Sequence, residues 1–362
     1  MKLIVQPGDG VQRIVKGIRK AKKSIEIVIF RLDRPEIERA LMDAVERGVF
    51  VHTLIAFTNR GGEENLRKLE MRFLEAGITV ARTAGDLVRY HGKMMIVDRK
   101  ELCVLSFNYT QLDINRSRAF AVVTRNPKMV AEAVKLFEAD TQRQEYTAGL
   151  DTFLVSPVNA RKELSRFVKG AKKELLIYDV KISDRPMLRL LQERQKAGVE
   201  IRIIGSVSGK KMSACELGRM RLHTRTIIRD RKDAFIGSQS MRQLELDARR
   251  EIGVIFRDGA AVKELIRTFE EDWAASSEDL KEARGPKKPQ KKVVKKLVKS
   301  VAKSVPVEDV AKKVARAISR NANVKLNGKK IHKTVTEILG DAVEEAAKNA
   351  AEEAVKVAGE AS

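Results

Sequence analysis

Two copies of one short motif, His-x-(Lys/Arg)-x4-Asp, hold the residues of this chain that are best suited to chemistry. The motif residues are His91, Lys93 and Asp98 in the first copy and His223, Arg225 and Asp230 in the second. One histidine can attack phosphorus while the other protonates the departing oxygen, and the cations stabilise the developing charge. The motifs therefore predict a phosphodiester-cleaving site whose catalytic residues are His91, Lys93, His223 and Arg225.

The spacing within each motif separates its aspartate from the other two residues. Side chains at positions i and i+2 of a β-strand point to the same face, so the histidine and the cation of each copy are predicted to face one shared space. Asp98 and Asp230 fall outside this alternation. We expect them to support the site through hydrogen bonds in a turn or through ion pairs.

A second set of polar residues follows each motif. Ser106 and Asn108 come after the first motif, and Ser238 and Ser240 after the second. Each pair follows an apolar run, at a predicted strand end where hydroxyl and amide groups can reach a bound phosphate. Further along, the carboxylate of Glu251 could hold a histidine ring in its working tautomer.

The chain contains an internal duplication. From the motif histidines onward the two copies align at an offset of 132 residues, whereas the offset is 150 upstream, so the second copy lacks 18 residues between positions 198 and 223. Each copy alternates helical and strand patterns, which indicates a sheet with helices on both faces. We predict an α/β fold of two duplicated α/β/α sandwich halves, residues 1–148 and 149–278, related by pseudo-twofold symmetry with both motifs at the seam.

The composition changes near residue 280, where proline, glycine and lysine cluster. This change predicts a lysine-rich linker over residues 279–306 and a helical extension over residues 307–362, which together form a basic helical C-terminal tail. The apolar positions of the last predicted helix, residues 330–357, fall on one stripe. We expect this stripe to mediate self-association or docking.

With its two motifs and their trailing Ser-x-Asn and Gly-Ser segments, the chain resembles the phospholipase D superfamily over about residues 5–275. The resemblance implies one site between two α/β/α halves, no metal or cofactor, and a covalent phosphohistidine intermediate. It implies His91 as nucleophile and His223 as the general acid that later activates water or an alcohol. Phosphate would be held by the following residues: Lys93, Arg225, Ser106, Asn108, Ser238 and Ser240.

Three positions depart from the family pattern. Arg225 stands where lysine is usual, which keeps the charge but changes the geometry of the clamp. Ser240 replaces an expected asparagine. Ala119 occupies the position equivalent to Glu251, so one histidine is expected to lack an orienting carboxylate.

The net charge of +23 favours a polyanionic partner, either nucleic acid or an anionic phospholipid surface. The basic core and linker favour a nuclease or another nucleic-acid phosphodiesterase. One alternative is a phospholipid hydrolase or transferase, similar to phospholipase D or cardiolipin synthase. The other is a catalytically weak nucleic-acid-binding protein that uses the same fold.

Targeting signals are not evident in the sequence. No apolar stretch approaches the roughly 18 residues that span a bilayer, and the N-terminus lacks the apolar region of a signal peptide. We therefore expect a cytoplasmic protein without a transmembrane segment. The two cysteines, Cys103 and Cys215, lack the spacing of metal ligands and are predicted to be free thiols.

Overall fold

The computed structural model describes residues 1–57, 63–83, 89–209, 212–218 and 220–282, together with the single residues 309 and 312. The first half contains β1 (Lys2–Gln6), α1 (Gln12–Arg19), β2 (Ser24–Ile29), α2 (Pro35–Glu46), β3 (Phe50–Ile55), α3 (Glu63–Glu75), β4 (Thr79–Arg82), β5 (Arg89–Tyr90), β6 (Met94–Val97), β7 (Glu101–Leu105), α4 (Gln111–Arg116), β8 (Ser117–Thr124) and α5 (Pro127–Gln142). The second contains β9 (Phe153–Val155), α6 (Ala160–Lys169), β10 (Glu174–Ile182), α7 (Arg185–Lys196), β11 (Glu200–Val207), β12 (Arg221–Leu222), β13 (Arg225–Arg229), β14 (Asp233–Gly237), α8 (Gln243–Asp247), β15 (Arg249–Arg250), β16 (Ile252–Phe256) and α9 (Gly259–Glu282).

Each half is built on one mixed β-sheet. The first sheet has the order β1-β8-β7-β6-β2-β3-β4, and the second has the order β9-β16-β14-β13-β10-β11. The two orders are equivalent strand by strand, except that among the described residues the second half has only a single parallel bridge, Ile204 to Cys215, where the first half has β4. Between β11 and β12 the described residues form no helix equivalent to α3. The predicted α/β fold of two duplicated halves is therefore confirmed.

Helices cover both faces of each sheet because the strands are apolar on both sides. In β6, Met94 and Ile96 face the core shared by the two halves, while Met95 and Val97 face the core beneath α1, α2 and α3. This alternation follows from the two-residue period of a strand. The shared core contains the inner faces of both sheets together with α5 and α9. The outer core of the second half lies beneath α6 and α7.

Two short strand pairs join the halves. Strand β5 of the first half pairs in parallel with β15 of the second, placing Arg89 opposite Arg249. Strand β12 of the second half pairs in parallel with β8 of the first, placing Arg221 opposite Ser117. The two pairings are related by the same 132-residue offset that relates the motifs. The seam between the halves therefore follows the duplication.

Buried ion pairs cross the seam beside these strands. Arg118 of β8 donates from Nε and Nη2 to the carboxylate of Asp272 on α9, at 2.7 and 2.9 Å. The equivalent pair joins Arg250 to Asp140 on α5 at 3.0 Å. The hydroxyl of Tyr178 also donates to Asp272, at 2.6 Å. These side chains are largely buried, so each charge depends on its partner.

Helix α9 continues to Glu282, so the predicted boundary at residue 278 falls inside a helix. The rest of the predicted linker and the predicted helical extension, apart from residues 309 and 312, lie outside the described residues. Within the described part of the chain, Cys103 and Cys215 are free thiols. No helix in that part is both long enough and apolar enough to cross a membrane.

The seam ion pairs predict a selective effect on stability. Asp272→Ala would leave Arg118 buried without its counter-ion, so we expect the free energy of unfolding to fall by about 3–5 kcal/mol. Glu271→Ala, the neighbouring change on α9, breaks an ion pair with Arg267 whose side chains are both more than half exposed. It should cost less than about 1 kcal/mol. Urea denaturation of both variants checks this, and equal losses would contradict it.

Candidate active site

Both motif histidines lie on the seam between the halves. The backbone N–H of His91 donates to the carbonyl of Arg250 at 2.7 Å, and that of His223 donates to the carbonyl of Arg118 at 3.1 Å. Each histidine is thus held by main chain of the opposite half. The short strand pairs β5–β15 and β12–β8 end immediately before the two histidines. The fold therefore brings both motifs to one seam.

His91 is a buried imidazole with a partner on each ring nitrogen. Its Nδ1 lies 2.9 Å from Oε2 of Glu251, and its Nε2 lies 2.8 Å from Nζ of Lys93. Since a carboxylate accepts and an ammonium donates, these partners favour the tautomer with the proton on Nδ1 and the lone pair on Nε2. The ring also packs edge-on against Phe30, with centroids 4.7 Å apart. Burial, followed by the charges of Lys93 and Arg225, holds the pKa of His91 well below its usual value.

Lys93 is fully buried beside His91. Its Nζ donates to the carbonyl of His91 at 2.7 Å and lies 5.5 Å from the centre of the Phe30 ring. Burial is the largest influence on this amine; Glu251 opposes it and Arg225 adds to it, and together they lower the pKa of Lys93 to about 7. The amine is therefore part protonated and part neutral near pH 7, and an approaching anion would favour the protonated form.

His223 has its acidic neighbour in the first half of the chain. Its Nδ1 lies 3.3 Å from Oδ2 of Asp113 on α4, within ion-pair distance but without the geometry of a hydrogen bond. Asp113 in turn accepts from the side chain of Asn108 at 2.7 Å and pairs with Arg221. Burial, followed by Arg225 and Arg221, lowers the pKa of His223 well below its usual value.

Arg225 is the counterpart of Lys93 and is held by more partners. Its Nη1 donates to the carbonyl of His223 at 3.0 Å, as Lys93 does to the carbonyl of His91. Its Nε donates to the hydroxyl of Ser240 at 3.1 Å. Its Nη2 lies 4.0 Å from Glu245 on α8. The longer arginine is accommodated because Ser240, shorter than asparagine, offers its hydroxyl to the guanidinium.

The other polar residues that follow the motifs bond mainly to protein groups. The hydroxyls of Ser106 and Ser238 are fully buried, and each bonds to both backbone groups of one residue on the next strand, Phe120 and Ile252 respectively. The backbone N–H of Asn108 donates to Asp113 at 2.9 Å. The buried Oδ1 of Asn108 has no hydrogen-bond partner among the described residues. The serines therefore fix the strands that carry the site.

The motif aspartates lie at the far ends of the motif strands. Asp98 accepts from the backbone N–H groups of residues 22, 23 and 24, at 2.7–3.1 Å. Asp230 makes the same bonds to residues 172, 173 and 174 over the same distances. Both sit in turns with positive φ, 53° and 50°. The structure thus does not bring Asp98 and Asp230 to the two histidines.

Sequence reasoning missed Asp113 and Glu245. They occupy equivalent positions at the 132-residue offset, and both are almost fully buried. Ala119 leaves the position equivalent to Glu251 without an acid, but Asp113 of α4 lies 3.3 Å from Nδ1 of His223 without forming a hydrogen bond to it. The repeated pattern Gln-Leu-(Asp/Glu)-(Ile/Leu) is the signal that could have revealed both acids. Among the described residues, no group of three or more His, Cys, Asp or Glu side chains is arranged to hold a metal ion.

Comparison with known families agrees with this arrangement. The sequence matches the family described as "Cardiolipin synthase, PLD-like domain" over residues 14–141 and 164–273, more than half of the chain. Each of the two matched segments covers most of one half of the duplication. The chain therefore belongs to the phospholipase D superfamily, within the family of PLD-like domains.

Individual relatives are 25–30% identical to this chain. The chain is 28% identical over 131 residues to the mitochondrial cardiolipin hydrolase of Danio rerio, covering 35% of this chain and 56% of that protein. It is 25% identical over 285 residues to the polyphosphate kinase of Prosthecochloris aestuarii, covering 69% and 40%. It is 30% identical over 129 residues to a phospholipase D of Rickettsia prowazekii, covering 35% and 60%. The chain thus spans about half the length of the curated relatives it matches.

Solved structures share the fold at low sequence identity. A polyphosphate kinase from Porphyromonas gingivalis matches with a TM-score of 0.64 at 18% identity, over 75% of this chain and 50% of that one. A phosphatidylserine synthase from Haemophilus influenzae matches with a TM-score of 0.56 at 10% identity, over 75% of this chain and 85% of that one. Both similarities are evidence for the fold alone.

The buried amine predicts how stability depends on pH. Between the lowered pKa of Lys93, about 7, and its ordinary value of 10.5, the unfolded chain keeps a proton that the folded chain has released. The free energy of unfolding should therefore rise with pH in this window, by at most about 1.4 kcal/mol per pH unit. Lys93→Met should lose this contribution, whereas Lys100→Met, at an exposed lysine, should keep it. Urea denaturation from pH 7 to pH 10 checks the prediction, and a Lys93→Met curve parallel to wild type would refute it.

Proposed function

We propose that this protein is a metal-independent phosphodiesterase that works through a covalent phosphohistidine on His91, with His223 as general acid and base. The observation that carries the proposal is a pair of buried imidazoles on one seam, each beside a carboxylate of the opposite half: Glu251 at 2.9 Å and Asp113 at 3.3 Å. Two histidines with opposite protonation states are what such a reaction requires.

The proposed reaction has two steps. In the first, Nε2 of His91 forms a bond to phosphorus as the bond to the leaving oxygen breaks, and His223 gives its proton to that oxygen. In the second, His223 takes a proton from water as the water oxygen attacks phosphorus. The N–P bond then breaks and His91 is restored. Lys93 and Arg225 stabilise the charge on the phosphoryl oxygens in both steps.

The contacts of the two imidazoles support this division of roles. Glu251 bonds to Nδ1 of His91 at 2.9 Å, which leaves the lone pair of Nε2 for attack. That lone pair now faces Nζ of Lys93 at 2.8 Å. A bound phosphate would draw the ammonium to its own oxygens and uncover the nucleophile. Binding and activation of the nucleophile would thus be one event.

His223 must carry a proton to act as the acid, although burial lowers its pKa in the free protein. A bound phosphodiester brings negative charge against Lys93 and Arg225, two of the cations that depress this pKa. Neutralising them makes the imidazolium easier to form. We therefore infer that His223 takes up its proton as substrate binds.

Nucleic acid is one of the two substrate classes that the proposal admits. The support is electrostatic: the net charge is +23, and Arg31 and Arg89 lie beside Phe30, the ring that packs against His91. Proteins that bind nucleic acid through its backbone use cations in this way.

Phospholipid is the second candidate. The matched family description names cardiolipin synthase, and two of the relatives are named cardiolipin hydrolase and phospholipase D. A single buried phosphate site serves either class, because both present a phosphodiester to the same two histidines. The classes differ in what must surround the phosphate.

Substitution of the histidines tests the mechanism. His91→Asn and His223→Asn should each lower the hydrolysis of a natural phosphodiester by about a thousandfold or more, because each removes a group that forms or breaks a bond. His52→Gln is the matched control, since that ring packs against Phe137 at the far end of the sheet. Unchanged activity in the double histidine variant would instead indicate a protein that only binds.

Trapping the intermediate tests the assignment of the nucleophile. Bis(p-nitrophenyl) phosphate has a leaving group that needs little protonation, so His223→Asn should still complete the first step and then stall. We expect a burst of p-nitrophenolate and a phosphoryl adduct on His91 by mass spectrometry. The double variant His91→Asn/His223→Asn should give neither, and an adduct on another residue would refute the assignment.

Removal of metal ions, combined with a comparison of substrates, tests the remaining parts of the proposal. Activity should persist in EDTA, because the proposed chemistry draws its charges and protons from side chains. A labelled oligonucleotide and labelled phosphatidylglycerol vesicles, assayed side by side in EDTA, would rank the two substrate classes. Loss of all activity in EDTA, with recovery on adding a divalent cation, would contradict the metal-independent mechanism.

A further inference from the structure

Two leucines at equivalent positions of the duplication face solvent. Leu112 is 49% exposed and Leu244 is 52% exposed, and they are related by the 132-residue offset. One exposed leucine on a protein surface is ordinary. A pair repeated by the pseudo-twofold relation is a different observation, because both halves present the same apolar side chain in the same way.

Both leucines are next to the site. Leu112 directly precedes Asp113, which lies 3.3 Å from His223, and Leu244 directly precedes Glu245, which lies 4.0 Å from Arg225. In each short helix the acidic residue and the aliphatic residue after it are buried, whereas the leucine and the glutamine before it are exposed. One side of each helix therefore builds the site and the other offers a leucine to solvent.

Exposed arginines lie around the leucines, together with one exposed acid on α8, Asp247, which pairs with Arg161 at 2.6 Å. On α4, Arg116 is exposed. Arg221, whose side chain is 44% exposed, pairs with Asp113, and Arg242, 39% exposed, pairs with Glu245. Each leucine thus lies near exposed arginines and directly precedes, in the sequence, a buried acid of the site.

This combination favours one polyanion over the other. Single-stranded nucleic acid adds to its phosphate contacts by stacking bases on aromatic rings, and leucine offers no such face. An anionic bilayer supplies both complements, since headgroups attract arginine and the acyl boundary accepts leucine. We propose that Leu112 and Leu244 form an interfacial contact through which the protein docks on an anionic phospholipid surface. This inference rests on the proposed phosphodiesterase function and specifies the surface from which its substrate is taken.

Vesicle binding by the full chain tests the contact. Sedimentation with vesicles of equal parts phosphatidylcholine and phosphatidylglycerol should show about tenfold weaker binding for Leu112→Ser and for Leu244→Ser, and about a hundredfold for the double variant. Leu74→Ser is the matched control, since Leu74 is 53% exposed on α3. Wild-type affinity in the double variant would overturn the proposal.

A second measurement follows the residue itself. Leu244→Trp should show a blue shift of tryptophan emission when the vesicles are added, and the Leu74→Trp control should not. Equal responses at both positions would overturn the proposal, as would weaker oligonucleotide binding by the double serine variant with unchanged vesicle binding.

Activity on a soluble reporter separates this inference from the proposed function. The double serine variant should hydrolyse bis(p-nitrophenyl) phosphate at the wild-type rate, because neither leucine takes part in the chemistry. Wild-type protein that binds vesicles but does not hydrolyse the reporter would refute the proposed function and leave the interfacial contact standing. Reporter hydrolysis by a wild-type protein that does not bind the vesicles would refute the contact alone.

Discussion

The ion pairs across the seam are the interaction on which the site depends. Arg118 and Arg250 each do two things: the guanidinium bonds to a buried aspartate of the opposite half, and the backbone carbonyl accepts from a motif histidine of that half. The same residues therefore join the halves and set the backbone position of His91 and His223. Asp113 and Glu251 also reach across the seam, because each carboxylate lies beside the motif histidine of the opposite half. Neither imidazole has its full surroundings within its own half.

Burial gives this site its chemical character. Lys93 and the two histidines all have lowered pKa values, with desolvation as the largest cause. Burial disfavours the positively charged forms of these groups, and a bound anion favours them again. The site is therefore stabilised by binding an anion. The electrostatics thus favour a phosphate ligand without fixing what the phosphate is attached to.

The sequence predicted the parts of this structure that repeat. The two motifs, the alternating strand and helix patterns and the constant offset were enough to predict two equivalent α/β halves with the motifs at their seam. The acid beside His223 could not be predicted, because alignment pairs Glu251 with Ala119 of β8, whereas the fold brings in Asp113 from helix α4. A repeat shows which residues are equivalent. It does not show which residue of one copy touches which residue of the other.

The unequal halves have a consequence for the origin of the site. In a homodimer of a single half, the two histidines would come from identical chains. Every substitution would then appear on both sides of the reacting phosphorus. Joining two copies in one chain removes that constraint. Here Lys93 of one half corresponds to Arg225 of the other and Asn108 corresponds to Ser240, while the acid beside His91 is Glu251 and the acid beside His223 is Asp113. A single mutation can therefore change the surroundings of one histidine without changing those of the other, so the two histidines can take different roles.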